Sequence, residues 1–245
     1  MFRRSLRCLI AGPFKLREEG TRFEHGWKGF LQTANNVEAS PWHDIDLVAP
    51  STGHVFHYVN EIPKGTREKL EVNLTEAGNP IKQDIKKGKL RLFTYGDIPF
   101  NYGCLPQTWE DPSSPDPQTG NNGDGDPLDV VLLTDRVVGI GEVLKVRVAG
   151  TLAMIDEGET DWKILAVIDG EDVAASAEVV DPIRHWFRYY KTTDGKGENT
   201  FAFDGSLLGP DQALRVIEEC ANGYQHLIAR KHAKAADYAL PALKH

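Results

Sequence analysis

Alternating apolar and polar positions recur through the middle of the chain and predict β-strands there. In residues 69–74, "KLEVNL", leucine and valine occupy every second position, and charged or amide side chains occupy the others. That two-residue period places an apolar face and a polar face on one strand. Runs rich in β-branched and aromatic residues predict further strands over 54–62, 89–93, 128–133, 143–155 and 162–168. Short strands separated by turns indicate a barrel or a sandwich.

Two segments near the C-terminus show helical spacing instead. Asp181 followed by Pro182 predicts a helix that begins there, because an aspartate caps a helix N-terminus and proline suits its first turn. Pro210 opens a second helix. Its predicted apolar stripe consists of Leu214, Ile217, Ala221, Tyr224 and Ile228. The pattern as a whole predicts an α+β fold that is mainly β, a barrel with helices packed outside.

Composition and charge exclude several classes of protein. The 245 residues are 40% hydrophobic and 26% charged, which is typical of a globular domain. We predict a single domain over 26–234 and a C-terminal tail over 235–245. The net charge of −8 argues against nucleic-acid binding, and no apolar run has the length of a membrane span. Three widely spaced cysteines suggest no disulfide framework.

The N-terminus differs from the rest of the chain in its charge. It carries five basic residues before the first acidic one, Glu18: Arg3, Arg4, Arg7, Lys15 and Arg17. Arginine-rich beginnings without acids resemble organelle transit peptides. We therefore expect residues 1–25 to be a transit segment or an ordinary basic tail. The first case predicts a mitochondrial protein, and the second a cytoplasmic one.

A loop rich in proline, glycine and aspartate, residues 110–127, leads into the most unusual motif of the chain. In "GDGDPLDVV", Asp124, Asp126 and Asp129 fall within six residues. A second acidic set, "DEGETDWK", contains Asp156 and Asp161. Carboxylates so close together repel unless a cation lies between them, and oxygen ligands suit Mg²⁺ or Mn²⁺. An isolated acidic turn could simply be solvated, but two such loops at strand ends favour a cation site.

An EF-hand is the obvious alternative for these aspartates, and the spacing excludes it. With Asp124 at the first position of the loop, the required glycine falls on Asp129 and the twelfth residue is Asp135 instead of glutamate. Basic side chains near other strand or helix ends point to an anionic substrate instead: Lys69, Arg91, Lys163 and Lys191. Metal ions with lysine and arginine fit a phosphate, and neither a P-loop nor a nucleophile elbow is present. A metal-activated water is then the expected nucleophile.

These residues resemble a known family. The motif "DGDPLDV" is similar to the signature of the family I soluble inorganic pyrophosphatases, and the similarity extends from about Trp42 to about Ile228. Several further blocks resemble the fungal and animal branch: "NEIP", "KLE", "QDIKKGKLR", "NYGCLPQTWEDP", "WFRYYK" and "GENTFAF". The resemblance implies a five-stranded OB-like barrel with flanking C-terminal helices. It also implies Mg²⁺-dependent hydrolysis of pyrophosphate to two phosphates, with several Mg²⁺ ions and Mn²⁺ as a substitute.

The same resemblance implies a role for individual residues. The metal ligands would be Glu71, Asp124, Asp126, Asp129, Asp156 and Asp161. The phosphate oxygens would be held by Lys69, Arg91, Lys163, Tyr190 and Lys191. Asp126 would also take the proton from the attacking water, Tyr102 would lie beside that water, and Glu61 would belong to an outer acidic shell.

One position departs from the family pattern. Ile98 stands where the eukaryotic branch has a second tyrosine, and Tyr95 is near but displaced. The alternative function is therefore a catalytically reduced pyrophosphatase-like subunit of a mitochondrial assembly. A third is a broader phosphohydrolase, although no base-stacking aromatic pair supports it. For quaternary structure we expect a homodimer or a larger mitochondrial assembly.

Overall fold

The computed structural model describes residues 14–51 and 54–242. The first thirteen residues of the predicted transit segment or basic tail lie outside these ranges. Among the described helices, none combines the length and the apolar composition that a membrane crossing requires.

Strands dominate the described part of the chain. In chain order, β1 to β13 are Lys15–Glu19, Lys28–Gln32, Glu38–Ala39, Val55–Ile62, Leu70–Val72, Ile81–Gln83, Ile85–Lys86, Lys89–Leu90, Asn101–Cys104, Asp129–Leu132, Val143–Asp156, Glu159–Ile168 and Thr200–Phe201. Two α-helices follow the long strands, α1 at Ala177–Tyr189 and α2 at Pro210–Ile228. Three short 3₁₀ turns lie at Thr192–Asp194, Phe203–Gly205 and Ala233–Asp237.

Five strands close on themselves to form a ring. Their order is β12, β10, β9, β4 and β11, and β11 pairs again with β12. The β10–β12 pair is parallel and the others are antiparallel. Closure leaves no free edge in these five strands, apart from a short extension where β13 pairs with the end of β11. The mainly β fold with helices towards the C-terminus is confirmed.

A second, smaller sheet lies outside the ring. Its order is β1, β2, β6 and β5, with β3 added to β2. β1 occupies residues 15–19 and pairs with β2 over its whole length, so these residues of the predicted tail are part of a sheet. A separate hairpin consists of β7 and β8, which follow β6 along the chain.

The helices cover the ring and close the hydrophobic core. α1 buries Val180, Ile183, Trp186 and Phe187. It begins four residues before the predicted Asp181, because the Val179 and Val180 amides already donate to the Ser176 carbonyl. Pro182 is therefore inside the helix and does not begin it.

The second helix, α2, begins at Pro210 as predicted, but its buried face is shifted. The buried residues are Ala213, Val216, Ile217, Cys220, Tyr224 and Leu227. Leu214, Ala221 and Ile228 of the predicted stripe are only partly buried. The helix therefore presents a wider apolar face than the stripe, since it packs on both the ring and the neighbouring core cluster.

Candidate active site

Every residue that the sequence analysis assigned to metal, phosphate or proton chemistry lines one cavity. The cavity has a volume of about 160 Å³ and opens between the ring and the second sheet. Its predicted lining residues are Glu61, Lys69, Glu71, Arg91, Tyr102, Asp124, Asp126, Asp129, Asp156, Asp161, Lys163, Tyr190 and Lys191. Glu157 and Glu159 of the second acidic set are exposed and lie outside this lining.

The register of the ring assembles the centre of the cavity. Asp129 on β10 lies opposite Lys163 on the parallel strand β12, and its neighbour β9 carries Tyr102. The Lys163 Nζ donates to Asp129 Oδ2 at 2.5 Å and to Asp161 Oδ1. The Tyr102 hydroxyl donates to the same Asp129 oxygen. Lys163 also lies 5.5 Å from the Tyr102 ring centroid and 5.4 Å from that of Phe187, so the cation is buried among aromatic faces.

A second cationic group lies at the edge that the small sheet contributes. Lys69 pairs with Glu71, two residues further along β5, and lies 3.6 Å from Asp84 Oδ2. Arg91 donates to the same Asp84 oxygen at 2.8 Å. Asp84 is a partner that the sequence analysis missed, because it is the single residue between β6 and β7 and lies in no predicted strand. The backbone bond from the Arg91 amide to the Asp84 carbonyl brings the two side chains together.

The end of the first helix supplies a third group. Tyr190 and Lys191 directly follow α1, and the Lys191 Nζ donates to Asp156 Oδ1 at 2.5 Å. Tyr190 stacks on Trp186 with ring centroids 4.8 Å apart. That stacking holds the tyrosine over the cavity wall, beside the ion pair.

The aspartate loop itself is held by backbone hydrogen bonds. The Asp126 amide donates to Asp124 Oδ1 at 2.9 Å, which closes a tight turn. Between them, Gly125 adopts φ +90°, a backbone conformation that favours glycine. Glu110 brackets the turn, since its amide donates to the Asp126 carbonyl and its carbonyl accepts from the Gly125 amide.

Burial and mutual repulsion raise the pKa of several carboxyls in the cavity. Burial, followed by the charge of Glu71, raises the pKa of Asp126 to about 7. The Asp126 side chain is exposed to the cavity, so solvent screens part of this shift in its pKa. Asp161 is only 6% exposed, and burial raises its pKa to about 7 although Lys163 opposes the shift. Burial and neighbouring acids likewise raise the pKa of Asp124 and Glu61.

The buried lysines keep their charge despite this burial. Burial alone lowers the pKa of Lys163, but Asp129 and Asp161 outweigh it and the pKa lies well above its usual value. The same balance holds at Lys69, where burial is outweighed by Glu71 and Asp84. The cavity therefore contains charged lysines beside a larger number of carboxyls, so the positive charges do not balance all of the negative ones.

One further acid beside the cavity was missed by the sequence analysis. Glu110 is 3% exposed, and one oxygen of its side chain accepts from the Trp162 amide at 3.1 Å. Its other oxygen, Oε2, is buried and has no hydrogen-bond partner within the described residues. Ligand oxygens of Glu110, Asp124 and Asp161 all lie within 4.8 Å of one another. An oxygen-lined acidic cluster with an unpartnered buried oxygen fits a hard divalent cation.

The position that departs from the family pattern is apolar in the structure as well. Ile98 is fully buried and lines the cavity. The hydroxyl of Tyr95 lies 3.2 Å from His185 Nε2, and Tyr95 is absent from the cavity lining. Tyr95 therefore does not replace the hydroxyl that the resemblance implied at position 98.

Comparison with known proteins agrees with this geometry. A family model described as inorganic pyrophosphatase matches residues 58–225. The chain belongs to the inorganic pyrophosphatase family. It is 41% identical over 233 residues to a human inorganic pyrophosphatase, covering 89% of this chain and 80% of the human protein. It is 42% identical to the enzyme of Eremothecium gossypii, with coverage of 90% and 82%.

Solved structures of pyrophosphatases have the same fold. The Schistosoma japonicum inorganic pyrophosphatase aligns with a TM-score of 0.86 at 37% identity, covering 94% of this chain and 87% of that one. The type I enzyme of Toxoplasma gondii aligns with a TM-score of 0.82 at 38% identity, with coverage of 87% and 99%. A truncated Trypanosoma cruzi vacuolar soluble pyrophosphatase, solved in complex with PPi, aligns at 0.81 with 32% identity over 89% of this chain and 92% of its own length.

Proposed function

We propose that this protein hydrolyses inorganic pyrophosphate to two phosphates in a Mg²⁺-dependent reaction. One observation carries the proposal: the cavity joins a set of carboxylates to four cationic side chains, and pyrophosphate is a small anion rich in oxygen. The Trypanosoma cruzi relative with bound PPi supports the choice of substrate. All the assigned metal, phosphate and proton-transfer residues line the cavity although Ile98 replaces a tyrosine, and this does not favour a catalytically reduced subunit.

The cationic side chains are the groups that we expect to bind phosphate. Arg91 presents a planar fork suited to two phosphate oxygens, and Lys69, Lys163 and Lys191 provide single donors from three sides of the cavity. Tyr190, held on Trp186, is a further donor. Since each lysine is already paired with a carboxylate, substrate binding must redistribute those pairs.

The carboxylates fit divalent ions as described above. Glu71, Asp124, Asp126, Asp129, Asp156 and Asp161 would hold Mg²⁺, with Mn²⁺ as a substitute. Bound ions would supply positive charge that neutralises phosphate oxygens and lowers the pKa of a nearby water. Glu61 accepts from the Val72 amide at 2.7 Å and so orients the strand that carries Glu71.

Proton transfer is assigned to Asp126. Its carboxyl is exposed to the cavity, and its raised pKa, about 7, suits a group that accepts a proton near neutral pH. Tyr102 donates to Asp129 and thereby holds that carboxylate in one orientation. Asp126 is thus the general base, and Tyr102 orients the groups around the attacking water.

A phosphate-release assay with pyrophosphate and Mg²⁺ tests the proposal. We expect Asp126→Asn to lower kcat by at least about 100-fold, because a positioned base contributes rate factors of that order. Asp135→Asn is the matched control, since Asp135 is an exposed aspartate beyond the same strand β10. No release above background by the unmodified protein, or an Asp126→Asn variant with most of its rate, would contradict the proposal. ATP in the same assay tests the broader phosphohydrolase.

We further propose that the protein is mitochondrial. The arginine-rich start of the chain supports import, and an ordinary basic tail would leave the protein in the cytoplasm. Fluorescence microscopy of the full chain against a chain lacking residues 1–13, which leaves β1 intact, separates the two, because only an imported protein should change location on truncation. Sedimentation velocity of the purified protein tests whether it is a homodimer or part of a larger assembly.

A further inference from the structure

Glu110 is the buried acid that the proposed function leaves without a task. It follows Trp109 in the long loop before the aspartate motif, and it is more buried than the neighbouring acids Asp111 and Asp124. A carboxylate is rarely enclosed to this degree unless it is paired. One of its oxygens has a partner, the Trp162 amide, but Oε2 has none within the described residues.

The carboxyl of Glu110 lies beside two other acids. Oxygens of Asp124 and Asp161 share one 4.8 Å cluster with a Glu110 oxygen. Lys163, the buried cation of this site, already donates to Asp161 and Asp129. Leaving a buried acceptor unsatisfied beside two further acids is costly, and a divalent cation between the three would remove that cost.

Backbone contacts fix the position of Glu110 beside the aspartate loop. Two hydrogen bonds of 2.9 Å join its own peptide groups to the Gly125 amide and the Asp126 carbonyl. Gly123 passes so close that a Cβ atom there would lie 2.5 Å from the Glu110 carbonyl carbon. The position of this side chain relative to Asp124 is therefore set by main-chain contacts and not by a flexible surface loop.

We propose that Glu110 is a metal ligand, and that it binds one divalent cation together with Asp124 and Asp161. The inference deepens the proposed function, since it adds to the ligand set of the same site. The three ligand oxygens already lie within 4.8 Å of one another, so these side chains could hold one divalent cation after small movements. The competing explanation is a protonated Glu110 that donates a hydrogen bond to Asp124 or Asp161.

Glu110→Gln separates the two explanations. The amide keeps the shape of the side chain and can donate, as a protonated carboxyl would, but it carries no charge for a metal. We therefore expect the folded variant to bind one Mn²⁺ ion at least about tenfold more weakly, counted by equilibrium dialysis and by Mn²⁺ electron paramagnetic resonance without pyrophosphate. Its thermal stability in EDTA should be equal to or higher than that of the unmodified protein.

Glu219→Gln is the matched control. Glu219 lines the neighbouring cavity of about 270 Å³ on the other side of Glu110 and is absent from the catalytic lining. The Glu219→Gln variant should bind Mn²⁺ with the same stoichiometry and affinity as the unmodified protein. Asp124→Asn should weaken the same ion, and the double variant with Glu110→Gln should weaken it by less than the two single effects combined.

Unchanged Mn²⁺ stoichiometry and affinity in Glu110→Gln would overturn the proposal and favour the protonated acid. If that variant does not fold, Glu110→Asp is the alternative, because it keeps the negative charge but shortens the side chain by one methylene group. Unaltered Mn²⁺ binding by Glu110→Asp would equally overturn the proposal. Because these titrations contain no pyrophosphate, they are independent of turnover. A protein that releases no phosphate yet loses an ion in Glu110→Gln would refute the proposed function and leave the ligand assignment standing.

Discussion

Lys163 shows how much of the site depends on one residue. It is 1% exposed, and its ammonium group contacts two carboxylates and two aromatic rings. Among the described residues, it is the least exposed of the cationic side chains that line the cavity. The lysine therefore serves the fold as the counter-charge of Asp129 and Asp161, and in the proposed reaction it would also donate to phosphate.

Replacing Lys163 with methionine should lower both the stability of the fold and the rate of hydrolysis. Methionine retains the apolar stem but leaves two buried carboxylates without their cation, and breaking a buried pair in this way costs about 3 to 5 kcal/mol. We expect the free energy of unfolding in EDTA to fall by that order, measured by urea denaturation. Hydrolysis should fall at least about 100-fold, as for loss of a preorganised charge in other active sites.

Lys145→Met is the control for this substitution, because Lys145 is an exposed lysine of the same ring. It should change the unfolding free energy by less than about 0.5 kcal/mol, as is usual for surface substitutions. A Lys163→Met protein as stable and as active as this control would contradict the assignment.

At the scale of secondary-structure elements, the C-terminal segment around residues 235–240 contacts and supports the loop that carries Asp124 and Asp126. The Tyr238 hydroxyl donates to the Gly125 carbonyl at 3.2 Å, and the Trp109 indole donates to the same carbonyl at 2.9 Å. The segment is held in turn by the Ala239 amide, which donates to the Leu74 carbonyl, and by the burial of Ala235. The segment predicted as a tail over 235–245 thus contacts the loop that carries Asp124 and Asp126.

Gly125→Ala tests this support. A Cβ atom at Gly125 would lie 3.0 Å from the Tyr238 hydroxyl, in addition to the strain of a positive φ. Gly120 also has a positive φ, +78°, but open space around it, so Gly120→Ala carries the strain alone, about 1 to 2 kcal/mol. We expect kcat/KM to fall about tenfold or more in Gly125→Ala and to change little in Gly120→Ala.

Removing the hydroxyl should relieve part of the defect. Gly125→Ala combined with Tyr238→Phe should be more active than Gly125→Ala alone, because the atom that meets the new methyl group is gone. Equal losses of activity at positions 120 and 125, or no recovery in the double variant, would show that the C-terminal contact does not position the loop.

At the scale of the whole molecule, the charge of the cavity links stability to pH and to metal. The pKa of buried Asp161 is raised to about 7, and burial raises that of Glu110 and Asp124 too. A carboxyl with a raised folded-state pKa stabilises the fold fully below its unfolded pKa, near 4, and loses that contribution as the pH rises through about 7. The metal-free protein should therefore become less stable between about pH 5 and pH 8.

Thermal unfolding in EDTA and in saturating Mg²⁺ checks this prediction. In EDTA we expect the melting temperature to fall by a few degrees from pH 5 to pH 8, since each kcal/mol shifts it by about 2 to 4 °C at this size. Mg²⁺ should raise the melting temperature most at pH 8, where the acids are ionised. KCl at equal ionic strength is the control for screening, and the same pH dependence in EDTA and in Mg²⁺ would contradict the prediction.

Much of the fold was predictable where one local rule governs a segment. The runs of apolar and β-branched residues at 128–133 and 162–168 identified the strands that carry Asp129 and Lys163, and Pro210 identified the start of α2. The predicted start of α1 at Asp181 was wrong. The helix begins earlier, at Ala177, because amides of its first turn donate to the Ser176 carbonyl and Val180 is buried. Of the second sheet only β5 was predicted, from the alternation in residues 69–74. Its other strands, β1, β2, β3 and β6, were missed because they are too short to show a recognisable pattern.

The sequence by itself determined the chemistry of this protein: which side chains are acidic, which are basic, and that their spacing matches a pyrophosphatase motif. Only the tertiary structure decided which of them meet. Asp84 meets Arg91 across the β7–β8 hairpin, and Tyr238 meets Gly125 across more than a hundred residues. Glu110 lies beside Asp124 and Asp161 with one oxygen, Oε2, that has no partner among the described residues. Burial and charge proximity depend on distances in space, and those distances are set by strand register and loop closure that no local pattern of residues encodes.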